Sequence, residues 1–448
     1  MTAVLSTPRT DLGRVVVASG PVADHAVGTI VTDHTPTVPA LARVVGADEQ
    51  VPLRSGGTVR YANLDYAASA PALAEVAQTV QASLTQYASV HRGAGHLSQI
   101  TTRRYEAARE TVRRFVRGRV DDAVVFTRGT TDAINLAAHI TRGDVVVLDI
   151  EHHANLLPWC APDRDGSSRA RIVPACTTLD DTLDALEAEL AAKPAALLAV
   201  TAASNVTGEV LPISRLAAIA HRHGARILVD AAQLVAHRPV SLVSHGIDYL
   251  VFSGHKLYAP FGAGVLIGRP DWLDAAAPYL SGGGASADVD VTGESPADIA
   301  WHTGPARHEA GSPNVLGAIA IAAACDALES IGFETIGLHE EFLRAHLDDG
   351  LASIDGVERL SIFADTTDRV GIAGFDVTGR APREVAEHLS ESAGIGVRDG
   401  KFCAHPVLKR LGHPDGAVRA SFGLGTDSDD IDRLVDALRG LTGNRRRA

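Results

Sequence analysis

The chain has 448 residues, 54 acidic against 41 basic side chains, a formal net charge of −13 and 46% hydrophobic residues. That is too long for one small domain and has ample core for two. The acidic surplus argues against a nucleic-acid or anionic-membrane surface, and no stretch reads as a cleavable leader or reaches membrane-spanning length, so a cytoplasmic protein is expected.

Residues 1–60 are rich in Thr, Pro, Gly and Ala with weak periodicity, and read as an extension that wraps the body or is partly mobile. From Tyr61 the pattern becomes globular, with short apolar runs alternating with helical stretches. The spacing predicts strands over Ala123–Thr127, Val145–Ile150, Ala196–Thr201, Arg226–Asp230, Tyr249–Ser253 and Gly264–Ile267. Helices are predicted between them, among others Thr131–Ile140, Thr182–Ala192 and Ile213–His223. This alternation marks an α/β fold with a mainly parallel sheet. A large domain is expected over 61–325 and a smaller α+β domain over 326–448. In the latter, helices are expected at Ile336–Ser353 and Pro382–Ala393, and strands at Val357–Ile362, Val370–Val377, Gly394–Arg398 and Val418–Phe422. A last helix should begin at the Asp427-Ser428-Asp429 cluster, whose side chains can cap it.

Ligands of open α/β sheets bind at the carboxyl ends of the strands, so the residues there matter most. One strand ends in Asp230, and another runs through Ser253 and Gly254 to His255 and Lys256. A lysine able to form a Schiff base, with a carboxylate for a pyridinium nitrogen, is what pyridoxal phosphate (PLP) requires. Only four lysines stand against 37 arginines in this chain, and arginine cannot form the imine. The turn Arg128-Gly129-Thr130-Thr131 lies between a strand and a helix, where free N–H groups and hydroxyls can cradle a phosphate. Two further strand ends carry Glu151-His152-His153 and Ser204-Asn205. A histidine beside a cofactor ring can stack on it and, titrating near neutrality, shuttle protons. Four cysteines, Cys160, Cys176, Cys325 and Cys403, lie far apart with no CxxC, and the histidines do not cluster with carboxylates, so no metal site is expected.

Taken together, the blocks Leu64-Asp-Tyr-Ala-Ala-Ser-Ala, Ser89-Val-His-Arg-Gly, Arg128-Gly-Thr-Thr-Asp, Glu151-His-His-Ala-Asn, Ser204-Asn-Val-Thr-Gly, Asp230-Ala-Ala-Gln, Phe252-Ser-Gly-His-Lys, Gly282-Gly-Gly, Glu309-Ala-Gly-Ser-Pro-Asn, Cys403-Ala and Arg419-Ala-Ser resemble a fold-type I PLP enzyme. The likeness is to the class V aminotransferase superfamily, and within it to SUF-type group II cysteine desulfurases and selenocysteine lyases, over about residues 61–441. It implies Lys256 as the imine lysine, Asp230 at the ring nitrogen, Asn205 and Gln233 near the phenolate oxygen and His152 stacked on the ring. It further implies Thr130, Thr131, Ser253 and His255 around the phosphate. Ser312, where the family usually has Thr, is expected to reach the phosphate of a neighbouring subunit in a homodimer. Arg398, with Asn205 and Arg92, is expected to bind substrate, Arg398 through a bidentate grip on the α-carboxylate.

The resemblance implies that Cys403 attacks the sulfur of L-cysteine, leaving a persulfide and L-alanine, with a possible sulfur-acceptor protein downstream. Arg398, Lys401 and His405 favour the thiolate if they lie close to it. Lys256, freed by substrate, is expected to act as the base, its pKa drawn toward neutrality by burial. The chain departs from the desulfurase pattern at Lys401-Phe402, where a pair of histidines is usual, and at Leu424-Gly425, where a Tyr-Asn pair is usual. Another class V reaction on a different amino acid, such as transamination, epimerisation or C–S lysis, is the alternative. A non-catalytic PLP-binding regulator is a third reading, disfavoured because no basic helix-turn-helix segment precedes the fold.

Overall fold

A computed structural model describes residues 37–161, 169–292 and 298–443. At its centre is a seven-stranded sheet in the order Ala123–Thr127, Gly264–Gly268, Tyr249–Ser253, Arg226–Asp230, Leu197–Thr201, Val145–Leu148, Ala170–Val173. Neighbouring pairs from Tyr249–Ser253 to Ala170–Val173 are parallel, and Gly264–Gly268 runs antiparallel to both of its neighbours. The strands are apolar on both faces because both faces are covered. Val145 and Val147 enter one core with the helix Thr130–Ile140, whereas Val146 and Leu148 enter another with Leu183, Leu186 and Leu216. Continuous apolar runs therefore appear where a half-exposed sheet would alternate.

Thr127, Thr201, Asp230 and Ser253 all fall at one edge of this sheet, because Thr201 pairs with Asp230, and Gly264 pairs with both Thr127 and Ser253. Gly264 has a steric reason. A Cβ there would lie 2.4 Å from Gly129 Cα, so only glycine lets this strand start against the Arg128–Thr130 turn.

A second sheet, all antiparallel, has the order Val357–Arg359, Ile372–Val377, Ala417–Ser421, Arg398–Gly400. The helices Phe333–Ala352, Pro382–Ala393 and Ser428–Gly443 cover it with Leu343, Leu347, Leu389, Ile431 and Leu434. Asp427 caps the last helix by accepting from the Asp430 N–H at 2.9 Å, as its sequence implied. The expected single strand Gly394–Arg398 is two short ones. Ile395–Gly396 pairs in parallel with Ala62–Asn63, and Arg398–Gly400 pairs with Ala417–Arg419, so the chain changes partners between them. The 325/326 boundary expected from sequence falls inside the helix Val315–Ile331.

Residues 1–36 of the expected N-terminal extension lie outside the described residues. From residue 37 onward the extension does wrap the body. The Leu41 and Ala42 N–H groups donate to the Leu424 carbonyl at 2.7 and 2.9 Å, and Gln50–Pro52 forms a hairpin with Thr58–Arg60. Among the described residues no single helix is long and apolar enough to cross a membrane.

Candidate active site

The carboxyl edge of the large sheet and the Arg398–Cys403 segment enclose a cavity of about 760 Å3. Eleven of the thirteen residues singled out from sequence line it: Thr130, Thr131, His152, Asn205, Asp230, Gln233, Ser253, His255, Lys256, Arg398 and Cys403. Arg92 and Ser312 do not. Both are exposed, and Arg92 packs on the Gly282–Gly284 turn, where a Cβ on Gly284 would sit 2.8 Å from its Nη2. Within one chain, then, neither residue reaches the cavity.

Lys256 closes a single 3-10 turn, Gly254–Lys256, directly after its strand. It is partly exposed by surface area, yet it lines the cavity with enough protein packed around it to desolvate its ammonium. That desolvation lowers its pKa to about 8 against the opposing pull of Asp230. The sequence-based expectation of a lysine near neutrality is met in direction. Asp230 is buried, and burial raises its pKa. It receives one hydrogen bond, from the Ala232 N–H at 3.0 Å, and its second oxygen has no partner among the described residues.

The Thr130 hydroxyl donates to Ser253 Oγ at 3.0 Å, beside the N-terminus of the helix Thr130–Ile140. His255 Nδ1 is buried without a partner and the ring stacks on Phe261 at 5.1 Å, while burial pushes its pKa down to about 4. Gln233 donates to the Ala67 carbonyl at 2.8 Å. Asn205 donates through Nδ2 to the Phe402 carbonyl at 2.8 Å, which leaves its second N–H for the cavity.

One expectation needs correcting. His152 does not titrate near neutrality, because burial and then the Lys256 charge push its pKa down to about 3. Its Nδ1 accepts from the Ala154 N–H at 3.0 Å, capping the helix His153–Cys160, so the neutral ring carries its proton on Nε2. It offers the cavity a neutral ring face and an N–H donor; a cation at neutral pH is not available there.

Sequence reasoning also missed Arg419. It lies mid-strand in Ala417–Ser421, is 3% exposed, and lines the cavity. It donates to the Asn205 carbonyl and to Asp65 Oδ1, each at 2.9 Å, while its Nε is buried without a partner. A charge inside the apolar run Ala-Val-Arg-Ala-Ser-Phe was the available signal, since arginine is rarely buried unless it has a task.

Phe402 and Cys403 both have φ 51°, a left-handed backbone that costs non-glycine residues roughly 1–3 kcal/mol each. Their carbonyls are gripped from the large sheet, Phe402 by Asn205 and Cys403 by the His153 N–H at 2.8 Å. The Phe402 ring lies 5.1 Å from the Arg419 guanidinium carbon. Cys403 is exposed while lining the cavity, so its thiol faces both the site and solvent.

These residues suit PLP. The helix N-terminus with its hydroxyls and the orphaned His255 nitrogen fits a phosphate, the half-satisfied Asp230 fits a ring N–H, and the depressed Lys256 fits an amine that must react unprotonated.

The aminotransferase class-V family matches residues 62–434. A cysteine desulfurase from Klebsiella pneumoniae is 36% identical over 360 residues, covering 79% of this chain and 86% of its own. One from Synechococcus elongatus is 35% identical over 358 residues, but the chain spans only 55% of that relative's length. Among solved structures, a cysteine desulfurase from Thermococcus onnurineus superposes with a TM-score of 0.77 at 32% identity, covering 86% of this chain and 95% of that one. The Escherichia coli cysteine desulfurase CsdA, described as its S-sulfonic acid form, gives 0.73 at 32% identity, with 84% and 94% covered. Sheet, cavity and relatives together define the class, a PLP-dependent enzyme of fold type I. The chain belongs to the aminotransferase class-V family, where it sits among proteins named cysteine desulfurase.

Proposed function

We propose that the protein is a cysteine desulfurase that converts L-cysteine to L-alanine and holds the sulfur as a persulfide on Cys403. The observation that carries this reading is the thiol of Cys403 on a strapped loop, lining the same cavity as Lys256 and Asp230. When bound, PLP supplies an electron sink that stabilises negative charge at the amino acid's Cα.

The chain's own residues do the rest. Arg398 and Arg419 meet on paired strands and offer two guanidiniums to the substrate carboxylate. Lys256, its ammonium destabilised by burial, takes and returns protons at neutral pH. With PLP bound, Asp230 would hold the ring nitrogen, whose positive charge would favour the ionised carboxylate. The Cys403 thiolate attacks the substrate sulfur, so a C–S bond breaks as an S–S bond forms and the carbon skeleton leaves as alanine.

The reading includes a homodimer, in which Ser312 and Arg92, exposed in one chain, serve the neighbouring site. It also includes a sulfur-acceptor protein and a cytoplasmic setting, which suits four cysteines that are all free. L-Cysteine added to the PLP-loaded protein should change the cofactor absorbance and yield one alanine per sulfur. Cys403→Ala should keep the absorbance change and lose sulfur transfer by at least about 10²-fold. Undiminished sulfur output from that variant removes the persulfide step.

A further inference from the structure

Glu209 is fully buried, does not line the cavity, and follows closely after Asn205 in the chain. Both of its oxygens are saturated. Oε1 accepts from the Ser361 hydroxyl at 2.8 Å and from the Phe363 N–H and Arg369 Nη2, each at 3.1 Å. Oε2 accepts from the Ile362 N–H at 2.8 Å and from the Thr207 hydroxyl at 2.6 Å. All of these donors except Thr207 belong to residues 361–369, which join the strands Val357–Arg359 and Ile372–Val377 of the second sheet. A carboxylate taken out of water is costly unless it is paired and fully hydrogen-bonded. Here that requirement is met across the two sheets, so separating them strands a buried charge.

The backbone repeats the grip. The Val210 N–H donates to the Asp368 carbonyl at 3.0 Å, and the Val370 N–H to the Gly208 carbonyl at 2.9 Å. Gly208 has φ 77°, and a Cβ on it would lie 2.7 Å from the Ile372 carbonyl oxygen. A Cβ on Gly374 would lie 2.6 Å from the carbonyl oxygen of Val206. Residues 206–208 therefore lie flat on the strand Ile372–Val377, closer than side chains allow. In that sheet Gly374 pairs with Arg419, and Arg419 with Arg398. The loop also closes on itself, the Ser204 N–H donating to the Glu209 carbonyl at 2.9 Å. At its other end Asn205 holds the Phe402 carbonyl with its side chain and receives Arg419 on its own carbonyl.

We propose that Glu209 is a positioning residue for the reaction: acting through Asn205, it sets where Arg419 and Cys403 stand over Lys256. For the sulfur step this rests on the desulfurase reading; the placement of the loop does not. Hydrogen bonds to an ionised acceptor are roughly twice as strong as neutral ones. Glutamine in the same place weakens each of them and turns an amide donor toward donors already pointing at it. The second sheet then moves against the first, and a displacement of about 1 Å at a reacting group costs about 10²-fold. Lys256, Asp230 and Ser253 belong to the large sheet and keep their places.

The test compares Glu209→Gln and Ser361→Ala in the full chain. In cofactor-free protein the alkylation of Cys403 by iodoacetamide, read by peptide mass, should be at least about 3-fold faster in Glu209→Gln. In PLP-loaded protein the absorbance maximum and borohydride trapping on Lys256 should match the unsubstituted chain, while KM for L-cysteine rises at least about 10-fold. Asn205→Ala should speed alkylation several-fold in the native background but by less than about 2-fold in Glu209→Gln, because the grip is already lost. Ser361→Ala removes one exposed donor and should shift alkylation and KM the same way by about 2-fold. Should Glu209→Gln fail to fold, that variant decides, and unchanged readings in it overturn the proposal. A purely structural Glu209 would lower the denaturation midpoint and leave alkylation, KM and the Asn205→Ala effect as they are, which would overturn it too. No alanine from L-cysteine in the unsubstituted protein, with the alkylation pattern intact, defeats the desulfurase reading alone. Normal alanine with unshifted alkylation defeats the positioning role alone.

Discussion

The two walls of the cavity are built on opposite principles. The sheet edge is buried: Asp230, Ser253, Asn205 and Gln233 are each less than a tenth exposed, and each grows from a strand end or its first turn. The Cys403 wall is exposed and bent through two consecutive left-handed residues, held in place by contacts from the other wall. The first arrangement suits chemistry shared by many amino-acid reactions, which needs fixed charges in a low-dielectric site. The second suits the step that selects one outcome, since a group that accepts sulfur inside and surrenders it outside must face both ways. Strain on that loop is consistent with function being concentrated there.

Substitutions on the two walls should therefore fail differently. Lys256→Ala should have the largest effect, lowering alanine formation by more than about 10³-fold and removing the borohydride-trapped cofactor from its peptide. Asp230→Asn should follow, with a loss of roughly 10²-fold, cofactor still bound and its absorbance maximum shifted. Asn205→Ala crosses from one wall to the other. By freeing the Phe402 carbonyl it should raise the alkylation rate of Cys403 in cofactor-free protein several-fold and slow sulfur transfer by about 10-fold, the size of one lost hydrogen bond. An unchanged alkylation rate would show that the loop holds itself.

The smallest effect concerns stability. Glu151 is fully buried, accepts from Asn155 Nδ2 at 2.7 Å, and burial raises its pKa to about 8. The folded state thus keeps a proton that the unfolded chain releases above its ordinary value of 4.5. Stability should fall as pH rises from about 4.5 to about 8 and level off above. Glu151→Gln, which mimics the neutral acid, should flatten that slope and gain roughly 1–3 kcal/mol at pH 8, read by denaturant titration of the cofactor-free protein. An identical slope in both proteins would place the proton elsewhere.

Legibility in the sequence followed the same division. The sheet edge was readable because a buried parallel strand is a short apolar run that stops abruptly, and Arg226–Asp230 and Tyr249–Ser253 stop at the residues that matter. Strand direction was not: Gly264–Gly268 looks like its neighbours in sequence, and only pairing reveals that it runs the other way. The Cys403 loop was readable as chemistry but not as geometry, since nothing in Lys401-Phe402-Cys403 announces positive φ without a glycine. Arg419 escaped because the short run around it reads as an ordinary buried strand, and its ion pair with Asp65 joins residues 354 positions apart. The neutral state of His152 depends on burial by segments distant in sequence, so a pKa near 6.5 was the natural expectation and the wrong one.

The division between a general wall and a sulfur-carrying wall is tested most directly by a single turnover with limiting L-cysteine, followed by mass analysis of the peptide that contains Cys403. The account predicts one added sulfur atom on Cys403 for each alanine formed, and none on Cys160, Cys176 or Cys325. Alanine and free sulfide released in equal amounts, with Cys403 unmodified throughout, would contradict it.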